Sequence, residues 1–451
     1  MEQMKQPEEL GDRQPVRKKI SMRIPETTKK RIVVIGGGFG GIEMIKEILP
    51  DDRFQVVLLD KHNYHTFQPL LYQVATAGLE PDSIAAPLRR IFKQKNDFYF
   101  RMAEVKRIIP EENCIDTNIG SLRYDYLVIA SGSKTNYYGM EEVKQKAFPM
   151  KKISQALDLR SKILQNYEKA LLADNDKDIN CLMDIVIVGG GPTGVELAGA
   201  IAELRKYVLP KDLPELDFRK MDIYLLEAGG RLLNGMSDVA GRKALKYLEN
   251  FGVIVKFHSV VKSYDGRTVV LKDGTTIETE TLIWAAGVMG NTIPGLRAET
   301  MKGNRYVVDS YNRIIGYDNI FALGDVAGMI TENQPKGHPM VAPVAVQQGK
   351  NLGKNIKKLE EGKNLKPFTY KDKGSMATIG RNRAVVDLSR FKFSGFLAWF
   401  VWMSVHLFTL IGFRNKVATF INWTWNYFTY DRATRLIIRP FRGCTPEERD
   451  E

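Results

Sequence analysis

RIVVIGGGFGGIEMIKEIL, residues 31–49, decides the fold of this chain. An apolar run is followed at once by glycines and then by apolar residues at helical spacing, which predicts a strand, a tight turn and a helix. The glycines stand at G-x-G-x-x-G spacing, at Gly36, Gly38 and Gly41. Glycines in these places permit a tight turn, a close approach of the backbone to a pyrophosphate, and close packing of the helix. The stretch therefore predicts a dinucleotide-binding turn with the phosphate at a helix N-terminus.

A second copy of this pattern begins at Asp184, in MDIVIVGGGPTGVELAGAIAEL. Its glycines keep the spacing of the first copy, at Gly189, Gly191 and Gly194. Each copy is followed by another apolar run that ends in small residues and a glycine, DYLVIA before Gly132 and TLIWAA before Gly287. A repeat over so long a period indicates two copies of one nucleotide-binding architecture.

A carboxylate follows each turn at the place where this architecture binds a ribose hydroxyl. Asp60 ends the run RFQVVLLD, and Glu227 ends the run DIYLLE. The interval before Glu227 is longer than usual, which we attribute to the Pro-containing, charged insertion YVLPKDLPELDFRK. A carboxylate there would bind a free 2′-hydroxyl and repel a 2′-phosphate, which favours NADH over NADPH. The alternative for Glu227 is an ordinary surface glutamate at a strand end.

Two dinucleotide sites on one chain indicate an electron relay, in which one nucleotide donates hydride to another that is held permanently as a flavin. FALGD, residues 321–325, puts Gly324 and Asp325 after a strand and near a helix start, which suits the ribityl and pyrophosphate part of a flavin. We therefore expect non-covalent FAD at the first turn and NADH, as substrate, at the second. The alternative for Asp325 is a strand-end aspartate that caps a helix.

The order of these motifs predicts an α/β protein with two Rossmann-like dinucleotide-binding domains and a C-terminal amphipathic helical membrane anchor. We expect a disordered tail over residues 1–29, a discontinuous FAD-binding domain over 30–152 and 309–385, an inserted NADH-binding domain over 153–308, and membrane-anchoring helices over 386–451. The last region stands apart because it holds four of the five tryptophans, Trp399, Trp402, Trp423 and Trp425.

The composition is that of a folded globular protein, with 44% apolar and 26% charged residues in a chain of 451. The formal net charge of +13 favours contact with an anionic partner, either a membrane leaflet or a nucleic acid. Cys114, Cys181 and Cys444 form no C-x-x-C pair, so we expect no metal site, no local redox dithiol and a reducing cytosolic setting. No secretory signal is evident in the first 30 residues.

Two further segments carry a resemblance to a known family. HNYHTFQPLLYQVATAGL, residues 62–79, and GHPMVAPVAVQQGKNLGKNI, residues 337–356, resemble the segments that flank the flavin ring in type II, non-proton-pumping NADH:quinone oxidoreductases. With the glycine turns and FALGD, they make nearly everything after residue 30 similar to that family of the two-dinucleotide-binding flavoprotein superfamily. Sulfide:quinone and disulfide reductases share this fold but need paired reactive cysteines, and nothing in the sequence indicates such a pair.

The resemblance implies a mechanism, a homodimer and a set of residues. In the family, the nicotinamide stacks on the flavin and delivers hydride to N5, while a quinone takes the electrons from a tunnel that opens to the membrane. Glu196 matches the glutamate near the nicotinamide and the quinone, with a helix first-turn carboxylate as its alternative. Gln347 and Gln348 match the amide end of the family's quinone motif, A-Q-x-A-x-Q. Pro343 departs from that motif and removes one amide, so Gln347, backbone or the facing segment MATIGRNRAV must hold the ring.

The C-terminal region predicts attachment to a membrane. FLAWFVWMSVHLFTLIGF, residues 396–413, has no formal charge and as a helix is just long enough to span a bilayer. In the next segment a polar stripe lies opposite apolar side chains, a pattern typical of a helix in the membrane interface. The stripe consists of Lys416, Thr419, Asn422, Asn426 and Thr429. Because tryptophans also concentrate at interfaces, we expect a monotopic anchor, with a single span and a pair of core or dimerisation helices as alternatives.

The whole sequence predicts a membrane-attached flavoenzyme that oxidises NADH and reduces a lipid quinone without proton pumping, because one short anchor offers no proton path. We place it on the cytoplasmic face of the inner membrane, where anionic lipid gives the basic charge a partner. No nucleic-acid partner is expected. The alternatives are a related flavin reductase with another acceptor, such as ferredoxin or a soluble quinone, and a non-catalytic flavoprotein that senses NADH.

Overall fold

The computed structural model describes residues 22–443, apart from residues 94, 333, 336, 431–433 and 438–439. The chain enters the first domain with the predicted strand, turn and helix. This first segment contains β1 (Lys30–Ile35), α1 (Phe39–Ile48), β2 (Phe54–Asp60), β3 (Tyr64–Thr66), α2 (Leu71–Ala75), α3 (Pro81–Ile84), β4 (Ala85–Pro87), α4 (Leu88–Ile91), β5 (Phe98–Met102), β6 (Val105–Ile109), β7 (Cys114–Thr117), β8 (Gly120–Arg123), β9 (Tyr126–Ile129), β10 (Ser133–Thr135) and α5 (Glu141–Lys146).

The inserted domain follows. It contains β11 (Phe148–Pro149), α6 (Ile153–Ala170), α7 (Asp176–Met183), β12 (Ile185–Val188), α8 (Pro192–Tyr207), α9 (Leu209–Asp212), β13 (Ile223–Leu226), α10 (Asp238–Asn250), β14 (Ile254–Lys256), β15 (Val261–Tyr264), β16 (Thr268–Leu271), β17 (Thr276–Glu278) and β18 (Thr281–Trp284). The chain then returns through β19 (Val288–Gly290), β20 (Met301–Lys302), β21 (Arg305–Val308), β22 (Ile320–Ala322), β23 (Ala327–Met329) and α11 (Ala342–Glu360). A C-terminal unit consists of β24 (Ser375–Thr378), β25 (Ala384–Asp387), β26 (Lys392–Gly395), α12 (Phe396–Thr409) and α13 (Phe413–Thr429).

Each large domain is built on a parallel five-stranded sheet. In the first, the strand order is β22-β9-β1-β2-β5, and in the inserted domain it is β11-β18-β12-β13-β14. The strand before each glycine turn is therefore central and is covered on both faces, which explains why β1 and β12 are continuous apolar runs. The two domains repeat one sheet design, and β22, which follows the inserted domain in the chain, completes the first sheet.

Three predicted boundaries differ from the structure. The inserted domain begins before residue 153, because β11 already pairs with β18. It ends before residue 308, because Tyr306 and Val308 pack in the core of the first domain with Val33. The C-terminal unit begins near residue 375 rather than 386, because β24, β25 and β26 form one antiparallel sheet that leads into α12. Such short strands have no periodicity long enough to mark them in a sequence.

Residues 22–29 are ordered, although the sequence predicted a disordered tail through residue 29. Met22 is buried in the core of the first domain. Arg101 donates hydrogen bonds to the backbone carbonyls of this arm at Met22 and Arg23. The arm is therefore held by hydrogen bonds from side chains of the sheet to its backbone. The residue types of the arm itself do not indicate such bonds, so the sequence predicted disorder. The part of the predicted tail over residues 1–21 lies outside the described residues.

The apolar run of residues 396–413 forms no single helix, because α12 ends at Thr409 and Gly412, at φ +92°, precedes α13. No helix in the described part of the chain is long and apolar enough to cross a membrane. The middle of the polar stripe of α13 faces the protein, since Thr419 is fully buried and Asn426 donates a hydrogen bond to the carbonyl of Gly78. Thr429, at the end of the stripe, is exposed.

The outer faces of α12 and α13 carry large exposed apolar side chains, which we call the apolar surface. It consists of Phe396, Leu397, Phe400, Val405, Phe408, Phe413, Val417, Phe420, Ile421, Trp425 and Phe428. A contiguous patch of this kind is rare on a monomeric soluble protein and marks an interaction surface.

Candidate active site

Both glycine turns are built by backbone packing that leaves no room for a side chain. A Cβ at Gly36 would lie 2.3 Å from the carbonyl oxygen of Ala130, and one at Gly41 would lie 2.1 Å from that of Gly36. In the second turn a Cβ at Gly194 would lie 1.9 Å from the carbonyl oxygen of Gly189. The strand and the helix of each unit therefore meet without a side chain between them.

Gly38 and Gly191 differ from these glycines, since a Cβ at either position would meet no atom within 4 Å. Their φ angles of −78° and −73° suit any residue. Packing within the protein therefore does not require glycine at these positions. A ligand that lies directly on the backbone at the start of α1 and α8 does require it, and a dinucleotide pyrophosphate fits both turns.

The strand-end carboxylates hold the turns in shape. Oδ2 of Asp60 accepts the N–H of Gly37 at 2.6 Å, and Oε2 of Glu227 accepts the N–H of Gly190 at 2.7 Å. The other oxygen of each carboxylate accepts the N–H two residues further along the chain. Burial raises the pKa of Asp60, and these backbone bonds oppose that effect. Each oxygen keeps a lone pair that can accept a ribose hydroxyl.

FALGD meets the first turn at the same end of the sheet. The N–H of Gly324 donates to Oε1 of Gln348 at 2.7 Å, and the hydroxyl of Ser133 donates to Oδ2 of Asp325 at 2.5 Å. Nζ of Lys151 donates to Oγ of Ser133 at 3.0 Å. The structure therefore brings the predicted flavin residues together at the carboxyl ends of four parallel strands. They are Gly36, Gly38, Gly41, Asp60, Gly132, Gly324 and Asp325.

The predicted residues of the second site gather in the same way around the inserted sheet, at Gly189, Gly191, Gly194, Glu227 and Gly287. A segment of the first domain covers this end, since the hydroxyl of Tyr138 donates to the carbonyl of Ala286 at 2.9 Å. The indole of Trp284 donates to the carbonyl of Asn136 at 2.8 Å. β10 and β19, which precede and follow the inserted domain in the chain, pair with each other, so the two connections between the domains lie side by side.

A cavity of about 110 Å³ opens between α2, α8 and the C-terminal helices. Its inner wall is formed by Tyr72, Gln73, Glu196, Thr378, Trp402 and Trp423. Neighbouring side chains fix the positions of two tryptophans that line the cavity. Nε1 of Trp423 donates to Oε1 of Gln73 at 2.7 Å, and Trp402 stacks on His406 with ring centroids 4.1 Å apart.

Glu196 is the buried carboxyl of this cavity. Its side chain is 8% exposed, and burial raises its pKa to about 8, opposed by the backbone N–H of Thr378 and by the indole of Trp402. The first turn of α8 contains no acidic residue, so Glu196 is not the dipole-stabilised carboxylate of the alternative interpretation. A carboxyl with this pKa is protonated at neutral pH and can give up a proton inside the cavity.

Gln347 and Gln348 do not line this cavity with Glu196. Gln347 exchanges two hydrogen bonds of 3.0 Å with the backbone of Lys371. Gln348 is buried and bonded to Gly324. Because α11 packs against α1, both amides stabilise loops of the first domain. In the described structure these amides therefore lie apart from the cavity that Glu196 lines.

The sequence prediction singled out the segments that contain α2 and β24, HNYHTFQPLLYQVATAGL and MATIGRNRAV, but it did not place the C-terminal helices beside them. Trp402 and Trp423, which we expected at a membrane interface, are 1% and 8% exposed and face the protein. A signal was present, because Trp402 and His406 lie one helical turn apart, as do Thr419 and Trp423. No periodicity could have connected these helices with Gln73, which is more than 300 residues away.

The fold and the paired turns define a class of protein. Residues 30–349 match the family model of the pyridine nucleotide-disulphide oxidoreductases, and residues 373–430 match the NDH2 C-terminal domain. The chain is thus a flavin-dependent oxidoreductase that uses a pyridine nucleotide.

Relatives narrow this class to one family. The chain is 34% identical to the type II NADH:quinone oxidoreductase Ndh of Mycobacterium tuberculosis over 425 residues, which are 91% of this chain and 90% of that protein. It is 31% identical to the internal alternative NAD(P)H-ubiquinone oxidoreductase A1 of Arabidopsis thaliana, over 88% of this chain and 84% of that protein. NDH2 from Plasmodium falciparum, solved in complex with NADH, shares the fold at a TM-score of 0.84 and 22% identity, with 91% of this chain and 100% of that chain covered. The chain belongs to the type II NADH:quinone oxidoreductase family and is an NADH dehydrogenase.

Alanine at Gly38 or at Gly191 tests the ligand-binding role of the turns. Neither substitution meets protein atoms, so we expect melting temperatures of the flavin-free protein within a degree or two of the wild type. Gly38→Ala should weaken flavin retention by roughly tenfold or more, and Gly191→Ala should raise KM for NADH to a similar extent, since a methyl group displaces the pyrophosphate. Gly235→Ala, which also meets no atom, is the matched control. Unchanged flavin retention in Gly38→Ala and an unchanged KM for NADH in Gly191→Ala would show that these turns do not bind the pyrophosphates.

Proposed function

We propose that FAD occupies the first turn and NADH the second, and that a lipid quinone enters the cavity beside Glu196. The cavity carries this proposal, because a buried carboxyl and aromatic side chains of the C-terminal helices converge there. Bound FAD would supply the chemistry of the relay, hydride acceptance from NADH at N5 and transfer of two electrons to the quinone. As the family resemblance implies, we propose a homodimer and a reaction without proton pumping.

The residues of the first turn support FAD in particular. The open backbone at Gly38 suits the pyrophosphate, and Asp60 can accept a ribose hydroxyl while it holds Gly37. Asp325, with the hydroxyl of Ser133, presents oxygen atoms where a ribityl chain would run. These groups would bind and orient the cofactor, and the neighbouring segments would contact its ring.

Glu196 has a defined task under this proposal. Reduction of a quinone to a quinol takes two electrons and two protons, whereas the hydride of NADH brings two electrons and only one proton. The second proton must come from the protein or from water. Glu196 holds a proton at neutral pH because burial raises its pKa to about 8, and its carboxyl lines the cavity. We propose that it donates this proton to the quinone oxygen and regains one from solvent.

Glu196→Gln tests this role through the pH profile. The raised pKa means that the carboxyl is protonated below about pH 8 and loses its proton as the pH rises through that value. Wild-type turnover should therefore fall on the alkaline side. Glutamine keeps the shape but has no acidic proton, so we expect kcat to drop roughly 100-fold and the alkaline limb to disappear. Steady-state NADH:quinone kinetics between pH 6 and 10 would measure both effects.

Glu203→Gln is the control for that experiment. Glu203 lies on the same helix and lines the same cavity, and its Oε1 accepts the backbone N–H of Arg381. An amide oxygen can make the same bond, so the alkaline limb should persist in this variant. The proton-donor role would be refuted by a Glu196→Gln enzyme that keeps the wild-type pH profile.

The coenzyme preference rests on Glu227, which lies at the end of β13 beside the second turn. A 2′-phosphate bound there would face its negative charge. Two like charges about 4 Å apart cost on the order of 1 kcal/mol even in water, so we propose that the enzyme prefers NADH.

Glu227→Gln should shift the ratio of kcat/KM values toward NADPH by about fivefold or more, because the repulsion is removed. Asp60→Asn, the equivalent change in the first turn, should leave this ratio alone and weaken flavin retention instead. The kcat/KM values of the wild type and both variants, measured with NADH and with NADPH, test this expectation. A ratio that responds to Asp60→Asn and not to Glu227→Gln would mean that the two nucleotides are assigned to the wrong turns.

We propose that the apolar surface lies in the membrane interface, as a monotopic attachment to the cytoplasmic face of the inner membrane. The same helices line the cavity with their inner residues, so a quinone could pass from the lipid into the cavity. Each large apolar side chain removed from water contributes roughly 1.5–3 kcal/mol, whereas each basic residue near anionic lipid contributes about 1 kcal/mol. The apolar contacts therefore dominate, and basic residues beside them, such as Arg414 and Lys416, add a preference for acidic lipid.

Replacement of Phe413 and Phe428 by glutamate tests this attachment in the full chain. The two side chains are 82% and 77% exposed, so the fold should tolerate the change. We expect the wild type to sediment with vesicles of phosphatidylglycerol and phosphatidylcholine and the double variant to stay in solution. Leu172→Glu is the control, because Leu172 is equally exposed but lies on the inserted domain. Equal sedimentation of all three proteins would show that another surface binds the lipid.

A further inference from the structure

Lys151 is a positively charged group of the flavin site that the proposed mechanism leaves unused. It lies in the crossover from β11, the first strand of the inserted domain, to α6. The side chain of Gln155 accepts the backbone N–H of both Lys151 and Lys152, which keeps this crossover in one conformation. Nζ of Lys151 lies 3.0 Å from Oγ of Ser133 and 3.3 Å from Oε1 of Gln68.

The charge of Lys151 has no direct partner in the part of the chain that the structure describes, where no carboxylate lies within ion-pair distance of its Nζ. Its two hydrogen-bond acceptors are neutral oxygens, and an ammonium has a third N–H to donate. Burial lowers the pKa of Lys151, and Asp325, on the other side of the Ser133 hydroxyl, opposes this effect. Lys151 is a half-buried cation whose hydrogen-bond partners are neutral, so a ligand that brings negative charge would stabilise it.

The neighbours of Lys151 identify that ligand. Ser133 and Asp325 belong to the proposed ribityl site, and Gln68 belongs to the segment predicted to flank the flavin ring. Lys151 therefore lies between the ribityl chain and the ring. On hydride transfer NADH becomes NAD⁺, and the ring gains a hydride, that is, two electrons and one proton, and with it one negative charge.

We propose that the ammonium of Lys151 compensates this negative charge and thereby raises the reduction potential of the bound flavin. No atom of Lys151 is transferred, and its third N–H would donate to the ring of the bound flavin. The effect follows because a fixed positive charge close to the flavin ring favours its reduced, more negative form. The inference rests on the proposed binding of FAD at the first turn.

Sulfite titration of the purified, FAD-loaded protein tests the inference without turnover. Sulfite adds to N5 of an oxidised flavin and leaves a negative charge on the ring, so its affinity reports a nearby cation. Lys151→Met should weaken sulfite binding by roughly tenfold or more and lower the midpoint potential measured against a reference dye. Lys151→Arg should keep both values near those of the wild type. Lys134→Met, which removes an exposed lysine next to Ser133, is the control and should change neither.

Each outcome has one meaning. A wild-type protein that binds no FAD would overturn the proposed function itself. A Lys151→Met protein that holds FAD with wild-type sulfite affinity and potential would overturn the inference and leave the proposed function intact. If Lys151→Met loses the flavin, Lys151→Gln, whose amide can still bond Ser133, takes its place. Loss of flavin from both neutral variants, with Lys151→Arg still loaded, would assign the charge to cofactor binding and also overturn the inference.

Discussion

The carbonyl oxygen of Gly36 occupies the place where a side chain at Gly41 would be, and the carbonyl of Gly189 does the same at Gly194. This contact brings the start of each helix directly onto the end of a central strand. The unbonded N–H groups of the helix then face the open end of the sheet, where the strand-end carboxylates hold the turn from the other side. The geometry of both turns relative to the sheets follows from this one constraint, because any Cβ would push helix and strand apart.

These parts of the structure were predictable because their signals are local. A buried parallel strand must be continuously apolar, and a turn that admits a pyrophosphate must contain glycines at fixed spacing. Asp60 and Glu227 were found for the same reason, since each is the last residue of such a run. The long insertion before Glu227 did not displace it, because the residues between α8 and β13 extend only the connection.

The cavity could not be predicted because it is assembled from segments far apart in the chain. The amphipathic pattern of α13 was recognised, but a pattern does not say which face turns toward the protein. The polar face of α13 is turned inward because Asn426 and Trp423 find hydrogen-bond partners on the segment around α2. The sequence pattern also does not reveal the hydrogen bonds that Gln347 and Gln348 make. Their amides satisfy backbone groups of Lys371 and Gly324, which a motif comparison does not register.

One helix connects the second glycine turn with the cavity. The N-terminus of α8 forms the second glycine turn, while Glu196, Ala200 and Glu203 on the same helix line the cavity. Its contact with the C-terminal unit is again close, since a Cβ at Gly199 would lie 2.8 Å from the carbonyl oxygen of Ile379. A single packed helix of 16 residues deforms little, so the distance between the second glycine turn and the carboxyl of Glu196 is nearly constant. Under the proposed function, this one rigid element would therefore position the hydride donor relative to the electron acceptor.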